Sequence, residues 1–260
     1  MTDEIAAELA FALSLADTAD AFTLPRFEQA DFALGWKNDR TEVTEADRGA
    51  ERVLAERVLA ERPGHGFFGE EHGPQGPPDS PWRWIVDPID GTSGFVRGIP
   101  VWATLIALTH ADRGVVVGVA SAPALRHRWW AGRGLGAFAD GRPCRVSDVA
   151  DLADAQVSVT FNPGWTELGL TDALVDIAGE ARRVRGFGDF WQHCLVAEGA
   201  LDLAIDAVGV APHDIAAVSV IVEEAGGRFT DRFGTPTHEH PTAISSNGIL
   251  HDRVVARLGR

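Results

Sequence analysis

The sequence predicts a mixed α and β chain in two parts: an antiparallel, strand-rich first half and an α/β second half, divided near Gly141. Three observations carry this. Apolar runs at Ala103 to Leu108 and Val115 to Ala120 flank the turn Ala111-Asp112-Arg113-Gly114, as in antiparallel neighbours. Beyond residue 155 short apolar strands alternate with helical periods, and the N-terminus repeats apolar residues at helical spacing.

Taken in order, Ile5, Leu9, Ala12, Leu13, Ala16 and Ala19 mark an amphipathic helix from Ile5 to Phe22 that Pro25 closes. Lys37-Asn38-Asp39-Arg40 reads as a loop or hairpin, and a second helix runs from an N-cap at Thr44 to about Leu59. After the breaker-dense stretch Gly73 to Asp79, Trp82 to Val86 is a short strand ending at Asp87-Pro88. Arg128 to Ala131 and Ala137 to Ala139 continue the first sheet, with Gly132-Arg133-Gly134-Leu135-Gly136 as a hairpin turn rather than a nucleotide loop. In the second half, strands are predicted at 156–161, 182–185 and 201–205. Helices are predicted at 170–181, 190–197 and 215–225, the last stopped by Gly226-Gly227.

The chain has 260 residues, enough for one large domain or two packed halves. Its formal charge of -15 repels nucleic-acid backbones and anionic lipid, so neither is an expected partner. Cys144 and Cys194 cannot form a disulfide framework or a zinc-ligand pair, which fits a reducing cytoplasm. The N-terminus lacks a secretory pattern, and Val101 to Ala120 is interrupted by His110, Asp112 and Arg113, so no membrane span is expected.

Chemistry is concentrated in Trp84-Ile85-Val86-Asp87-Pro88-Ile89-Asp90-Gly91-Thr92, where a hydrophobic strand runs into two carboxylates and a Gly-Thr turn. The bend lets Asp87 and Asp90 converge and leaves the Ile89 carbonyl free as a further oxygen ligand for a hard cation. A helix starting after Thr92 would point free amides at an anion. Taken alone, the same residues also suit an Asx turn capping that helix. Three more acidic sites accompany it: Gly69-Glu70-Glu71, Thr44-Glu45-Ala46-Asp47 and His213-Asp214-Ile215-Ala216-Ala217. Singly, these read as a solvated turn, a capping arrangement and a helix-start Asp.

Together, in this order, they resemble the inositol monophosphatase superfamily of magnesium-dependent, lithium-sensitive phosphatases. The signatures are Asp87-Pro88-Ile89-Asp90-Gly91-Thr92, preceded by Gly69-Glu70-Glu71, and Asp214-Ile215-Ala216-Ala217 with Glu223-Glu224-Ala225-Gly226-Gly227. Within it the chain is most similar to actinobacterial histidinol-phosphatases, through segments such as Val96 to Thr104, Arg128-Trp129-Trp130-Ala131 and Gly188-Asp189-Phe190.

The resemblance implies a layered αβαβα sandwich of the inositol monophosphatase and fructose-1,6-bisphosphatase type. Residues 1–140 would carry most metal ligands, and 141–260 would supply Asp214 and substrate contacts. It implies two to three Mg2+ ions: one at Glu70, Asp87 and the Ile89 carbonyl, a second at Asp87, Asp90 and Asp214, and a weaker third near Glu70 and Asp47. Thr92 and Asp47, with Glu70, would orient or deprotonate the attacking water, and the amides of Gly91 and Thr92 would hold phosphate. The implied reaction is hydrolysis of a small phosphorylated metabolite, L-histidinol phosphate first and inositol-1-phosphate or another polyol phosphate second, by a homodimer. A catalytically silent binding relative is the reading from a different class, and the intact acidic set stands against it.

Several positions depart from the family. Ser93-Gly94 stands where Lys or Thr then Asn is common, and His213 stands where Trp is usual. Ala207 falls where an acidic substrate contact is typical, with Asp206 one position away. Ser93, Asp189, Asp206 and His213 are the substrate-facing candidates. Asp189 serves equally as a helix N-cap, and His213 as a packed neighbour of the carboxylate. His238 and His240 are expected on the surface.

Overall fold

A computed structural model describes residues 2–36 and 41–259. The loop tip expected at Lys37 to Arg40 lies outside the described residues. On either side of it, β1 (Leu34–Trp36) and β2 (Glu42–Thr44) pair antiparallel, Leu34 opposite Thr44.

The first half opens with α1 (Thr2–Gln29), and α2 (Glu45–Glu61) follows β2. Then come β3 (Gly66–Gly69), β4 (Gly73–Gln75), β5 (Trp82–Asp90), α3 (Thr92–Val96), β6 (Ala103–His110), β7 (Gly114–Ala122), β8 (His127–Gly132), β9 (Gly136–Ala139) and β10 (Arg142–Pro143). These strands form one sheet of order β10-β9-β8-β7-β6-β5-β3-β4, antiparallel throughout except between β3 and β5.

The second half comprises β11 (Gln156–Val159), α4 (Pro163–Glu167), α5 (Thr171–Glu180), β12 (Arg183–Arg185), α6 (Asp189–Ala197), β13 (Leu203–Ile205), α7 (Pro212–Glu224), β14 (Arg228–Thr230), β15 (Ile244–Ser246) and α8 (His251–Leu258). Its sheet has the order β12-β11-β13-β15-β14, parallel on one side of β13 and antiparallel on the other.

Strand alternation builds the layers, because successive side chains face opposite ways. Trp84 and Val86 pack with Leu9, Leu15, Leu54 and Val58 of α1 and α2. Ile85, Leu105 and Ala107 point the other way, onto Ile221 of α7 and Cys194 of α6, and Ala204 of the second sheet meets the same cluster. The outer face of the second sheet, Val157, Leu203 and Ile205, is covered by Leu174 and Ile177 of α5 and Val254 and Leu258 of α8. The result is a five-layer α/β sandwich in which α7, from the second half, lies buried against the first sheet.

Two expectations need correction. The first helix does not stop at Pro25 but continues to Gln29. Leu24 and Phe27 pack beside Phe95, Trp102 and Ile89, and that burial offsets the hydrogen bond Pro25 cannot donate. The strand expected to end at Asp87 runs on to Asp90. Asp87 faces Leu105 and Asp90 faces Ala103 across a register shift, so three steps on β5 span two on β6. Such a bulge kinks the strand without ending it, and the Thr104 hydroxyl donates to the Pro88 carbonyl at 2.8 Å inside it. The hairpin turn at Gly132 to Gly136 joins β8 to β9. Helices α4 and α8 and strands β3, β4, β10, β14 and β15 were not anticipated, all being short, and β4 lies inside the breaker-dense stretch after Gly73.

Candidate metal centre and adjoining cavity

The bulge sets the geometry of the site. Asp87 accepts the Ile89 amide at 2.9 Å, and Asp90 accepts the Phe190 amide of α6 at 2.7 Å, which ties the end of β5 to the second half. Pro212 begins α7, and Asp214 turns back to accept the Ala211 amide at 2.7 Å, completing its first turn. Ligand atoms of Asp87, Asp90 and Asp214 all lie within 4.8 Å of one another. A second group, within the same limit, joins Glu70, Asp87 and His213. Asp87 belongs to both.

Electrostatics mark this cluster as strained when nothing cationic is bound. Burial, then Glu70, Asp90 and Asp214, hold the Asp87 carboxyl well above the ordinary carboxylate range. Burial, then Asp189 and Asp214, do the same to Asp90, and burial above all raises Asp214. Crowded carboxylates of this kind are what a divalent cation relieves, and an all-oxygen set suits a hard one. One nitrogen departs from that pattern: His213 Nδ1 is buried with no hydrogen-bond partner, while its Nε2 lies 3.4 Å from Asp214 Oδ1. The residues therefore fit bound divalent ions.

Asp47 is engaged through both of its carboxylate oxygens. Its Oδ2 accepts the Thr44 amide at 2.8 Å and the Thr44 hydroxyl at 2.5 Å, completing a capping box on α2. Its Oδ1 lies 3.0 Å from the Thr92 hydroxyl. Burial raises its pKa despite these bonds. Thr92 opens α3 after Gly91, whose φ is 89°. The Ile89 carbonyl is not free, contrary to the expectation from the bend: it lies 2.9 Å from the Thr92 hydroxyl. One hydroxyl proton serves Asp47 or Ile89 at a given moment, and the carbonyl keeps a second lone pair for another partner.

A cavity of about 710 Å³ opens over these groups, lined by Glu42, Glu70, Gly91 to Gly94, Asp189, His213 and Asp214 among others. A second cavity of about 300 Å³ adjoins it through Asp189, Gly209 and Asp214 and reaches Asp90, Asn162 and Asp206. Asp189 is the first residue of α6 rather than its N-cap, which is Gly188. Burial, then Asp206, pushes its pKa up to about 6. Asp206 is buried, with Oδ2 accepting from His193 Nε2 at 2.9 Å and Oδ1 accepting the Ala207 amide at 2.7 Å. The exposed Ser93 engages Arg97, its hydroxyl and carbonyl lying 2.6 and 2.8 Å from the guanidinium, which also reaches Glu42 at 2.8 Å. His240 is exposed and pairs with Asp231 at 2.7 Å, as a surface histidine would, but His238 is half-buried beside Arg83 and His110.

Two groups escaped the sequence reading. Glu51, fully buried on α2, accepts the Glu71 and His72 amides at 2.7 and 2.8 Å and so fixes the turn that carries Glu70. Its signal was a carboxylate on the same helix face as Asp47, among Ala50, Leu54 and Ala55. The buried His193, held by Ser245 at 2.7 Å, stands behind Asp206, and its signal was a polar residue inside the apolar run of α6.

The Inositol monophosphatase family model matches residues 5–259. A histidinol-phosphatase of Mycobacterium tuberculosis is 48% identical over 96% of this chain and 97% of its own. One from Streptomyces coelicolor is 43% identical over 97% of each. Among solved structures, the extragenic suppressor protein suhB of Bartonella henselae superposes with a TM-score of 0.88 at 29% identity, covering 98% of this chain and 99% of the other. Thermotoga maritima IMPase gives 0.85 at 30%, covering 96% of each.

Proposed function

From a chain that belongs to the inositol monophosphatase family, we propose hydrolysis of L-histidinol phosphate to L-histidinol and phosphate. The chain is a phosphoric monoester hydrolase. The observation that carries the choice of substrate is identity of 43–48% with histidinol-phosphatases over nearly the full length of both partners.

In this reading Glu70, Asp87, Asp90 and Asp214 hold two to three Mg2+ ions, with Asp87 common to both ligand groups. Bound Mg2+ supplies Lewis-acid charge that neutralises phosphate oxygens, activates water and stabilises the departing alkoxide. The chain does the rest. The amides of Gly91 and Thr92 receive phosphate at the start of α3. Thr92 and Asp47, 3.0 Å apart, orient the attacking water, with Asp47 as the proton acceptor and Glu70 beside it. Glu51 keeps Glu70 in place, and Asp90, through Phe190, keeps α6 and Asp189 against the cavity. Asp189 and Asp206 give the leaving-group side a negative lining suited to the ammonium and imidazole of histidinol.

Among the described residues no helix is long and apolar enough to cross a membrane. A cytoplasmic homodimer acting on a small phosphorylated metabolite completes the reading. Phosphate release with Mg2+ across histidinol phosphate, inositol-1-phosphate, fructose-1,6-bisphosphate and adenosine bisphosphate tests it. Histidinol phosphate is expected to have the highest kcat/KM, and negligible turnover of it beside a good alternative removes the assignment.

A further inference from the structure

We propose that His213 is a direct ligand of the metal held by Glu70 and Asp87, which makes that position favour a divalent transition-metal ion that accepts a nitrogen donor, such as Mn2+ or Zn2+, over Mg2+. The inference rests on the metal reading of the cluster and adds a ligand to it.

Three observations converge. A ring nitrogen of His213 lies within 4.8 Å of the ligand oxygens of Glu70 and Asp87. Three donors bound about 2.1 Å from one ion stand roughly 3 to 3.6 Å apart, so from the 4.8 Å limit closure needs about an ångström, which side-chain rotation supplies. His213 Nδ1 is buried without a hydrogen-bond partner and Nε2 stands 3.4 Å from Asp214 Oδ1, so neither ring nitrogen is committed to a short hydrogen bond and the ring can give one to an ion. The residue is also fixed in place: its backbone sits between Pro212, which sets the entry to α7, and Asp214, and its ring centroid lies 6.4 Å from that of the tilted Phe68 ring.

Consecutive residues of one helix turn thus serve the two ligand groups, Asp214 with Asp87 and Asp90, and His213 with Asp87 and Glu70. Magnesium strongly favours oxygen donors and keeps its waters, whereas transition-metal ions accept imidazole, Zn2+ strongly and Mn2+ less so. A nitrogen donor here shifts selectivity, and no oxygen-only member of the cluster could do so.

Mn2+ is the probe. It is added to the full-length protein and to His213→Phe, binding is followed by calorimetry, and the bound ion is examined by pulsed EPR, with 15N-histidine labelling for assignment. The expected result is a nitrogen coupling of directly bound imidazole in the parent protein that disappears in the variant. Mn2+ affinity should weaken about tenfold while Mg2+ affinity changes less. Tight Mn2+ binding with no nitrogen coupling in the parent protein overturns the histidine ligand and leaves the metal reading standing. Failure of Mn2+ and Mg2+ to bind at all overturns both. Because the deciding spectrum comes from the parent protein, a poorly folded variant does not blunt the test.

Discussion

Glu51 and Gly69 meet so closely that a Cβ on Gly69 would stand 2.2 Å from the Glu51 carboxyl carbon. The carboxylate cannot swing away, because it receives the Glu71 and His72 amides and sits 2.8 Å from His72 Nδ1. The turn bearing Glu70 is therefore built around a buried charge on α2. Gly69→Ala should displace that charge, and Glu51→Ala should leave two amides unpaired, a loss of about 2–5 kcal/mol. Both variants should raise the Mg2+ concentration needed for half-maximal activity. Thermal denaturation and Mg2+ titration check this, and an unchanged Mg2+ requirement in both would detach Glu51 from the site.

Neutralising a carboxylate of the candidate metal set should separate stability from activity. Burial and like charges raise Asp90 in the metal-free protein, so the folded state binds more protons than the unfolded state and loses stability as pH rises toward the folded pKa. Asp90→Asn can still accept the Phe190 amide. It should raise the metal-free Tm at neutral pH by a few degrees, abolish the further gain on adding Mg2+, and lower kcat by orders of magnitude. Asp214→Asn should behave alike. Retained turnover in both variants would remove these residues from the metal set.

Thr92 and Asp47 can be told apart because only Asp47 caps α2. Thr92→Ala should reduce kcat by about 10² or more with little change in Tm. Asp47→Ala should do the same and also lose about 1–2 kcal/mol of stability from the broken capping box. Equal Tm losses in the two variants would contradict this division.

Much of this site was legible because its carboxylates sit at element ends that short-range signals mark. Asp87 and Asp90 close an apolar strand, Asp47 follows a capping threonine, and Asp214 follows a proline that starts a helix. What was not legible depends on partners distant in the chain. Nothing near Glu51 says that residues 69–72 will fold over it, and nothing in α6 says that His193 will meet Asp206 and Ser245. The continuation of α1 past Pro25 is of the same kind, since the residues that reward it, Phe95 and Trp102, lie some seventy positions away. The path of β5 beyond Asp87 was hidden because Pro88 ordinarily ends a strand, and only pairing with Ala103 carries it on.

His251 predicts an acid limb in the stability curve. It is fully buried between the Thr230 and Ser246 hydroxyls, each 2.8 Å away, and burial lowers its pKa from 6.5 to about 4. The unfolded chain binds the proton first, so stability is whole above pH 6.5 and falls as pH drops through the window toward 4. Full protonation is worth about 3 kcal/mol. His251→Gln should lower stability at pH 7 yet show a shallower decline between pH 6.5 and 4. Urea denaturation at several pH values measures the difference, and parallel curves would contradict it.

Substrate charge should be read by Asp189 more than by Asp206. Asp206 commits one oxygen to His193 and the other to the Ala207 amide, while Asp189 lines both cavities beside Asp214. If the released alcohol carries an ammonium, Asp189→Asn removes a charge pair and should raise KM for histidinol phosphate about tenfold, or 1.4 kcal/mol. KM for inositol-1-phosphate, which has no cation, should stay nearly constant. Asp206→Asn should act less on KM and more on Tm, because it leaves His193 without its buried carboxylate. An equal rise in KM for both phosphates in Asp189→Asn would mean that the residue acts through the neighbouring Asp90 and Asp214 rather than on the substrate, and selectivity for a cationic alcohol would then have to come from another wall of the cavity.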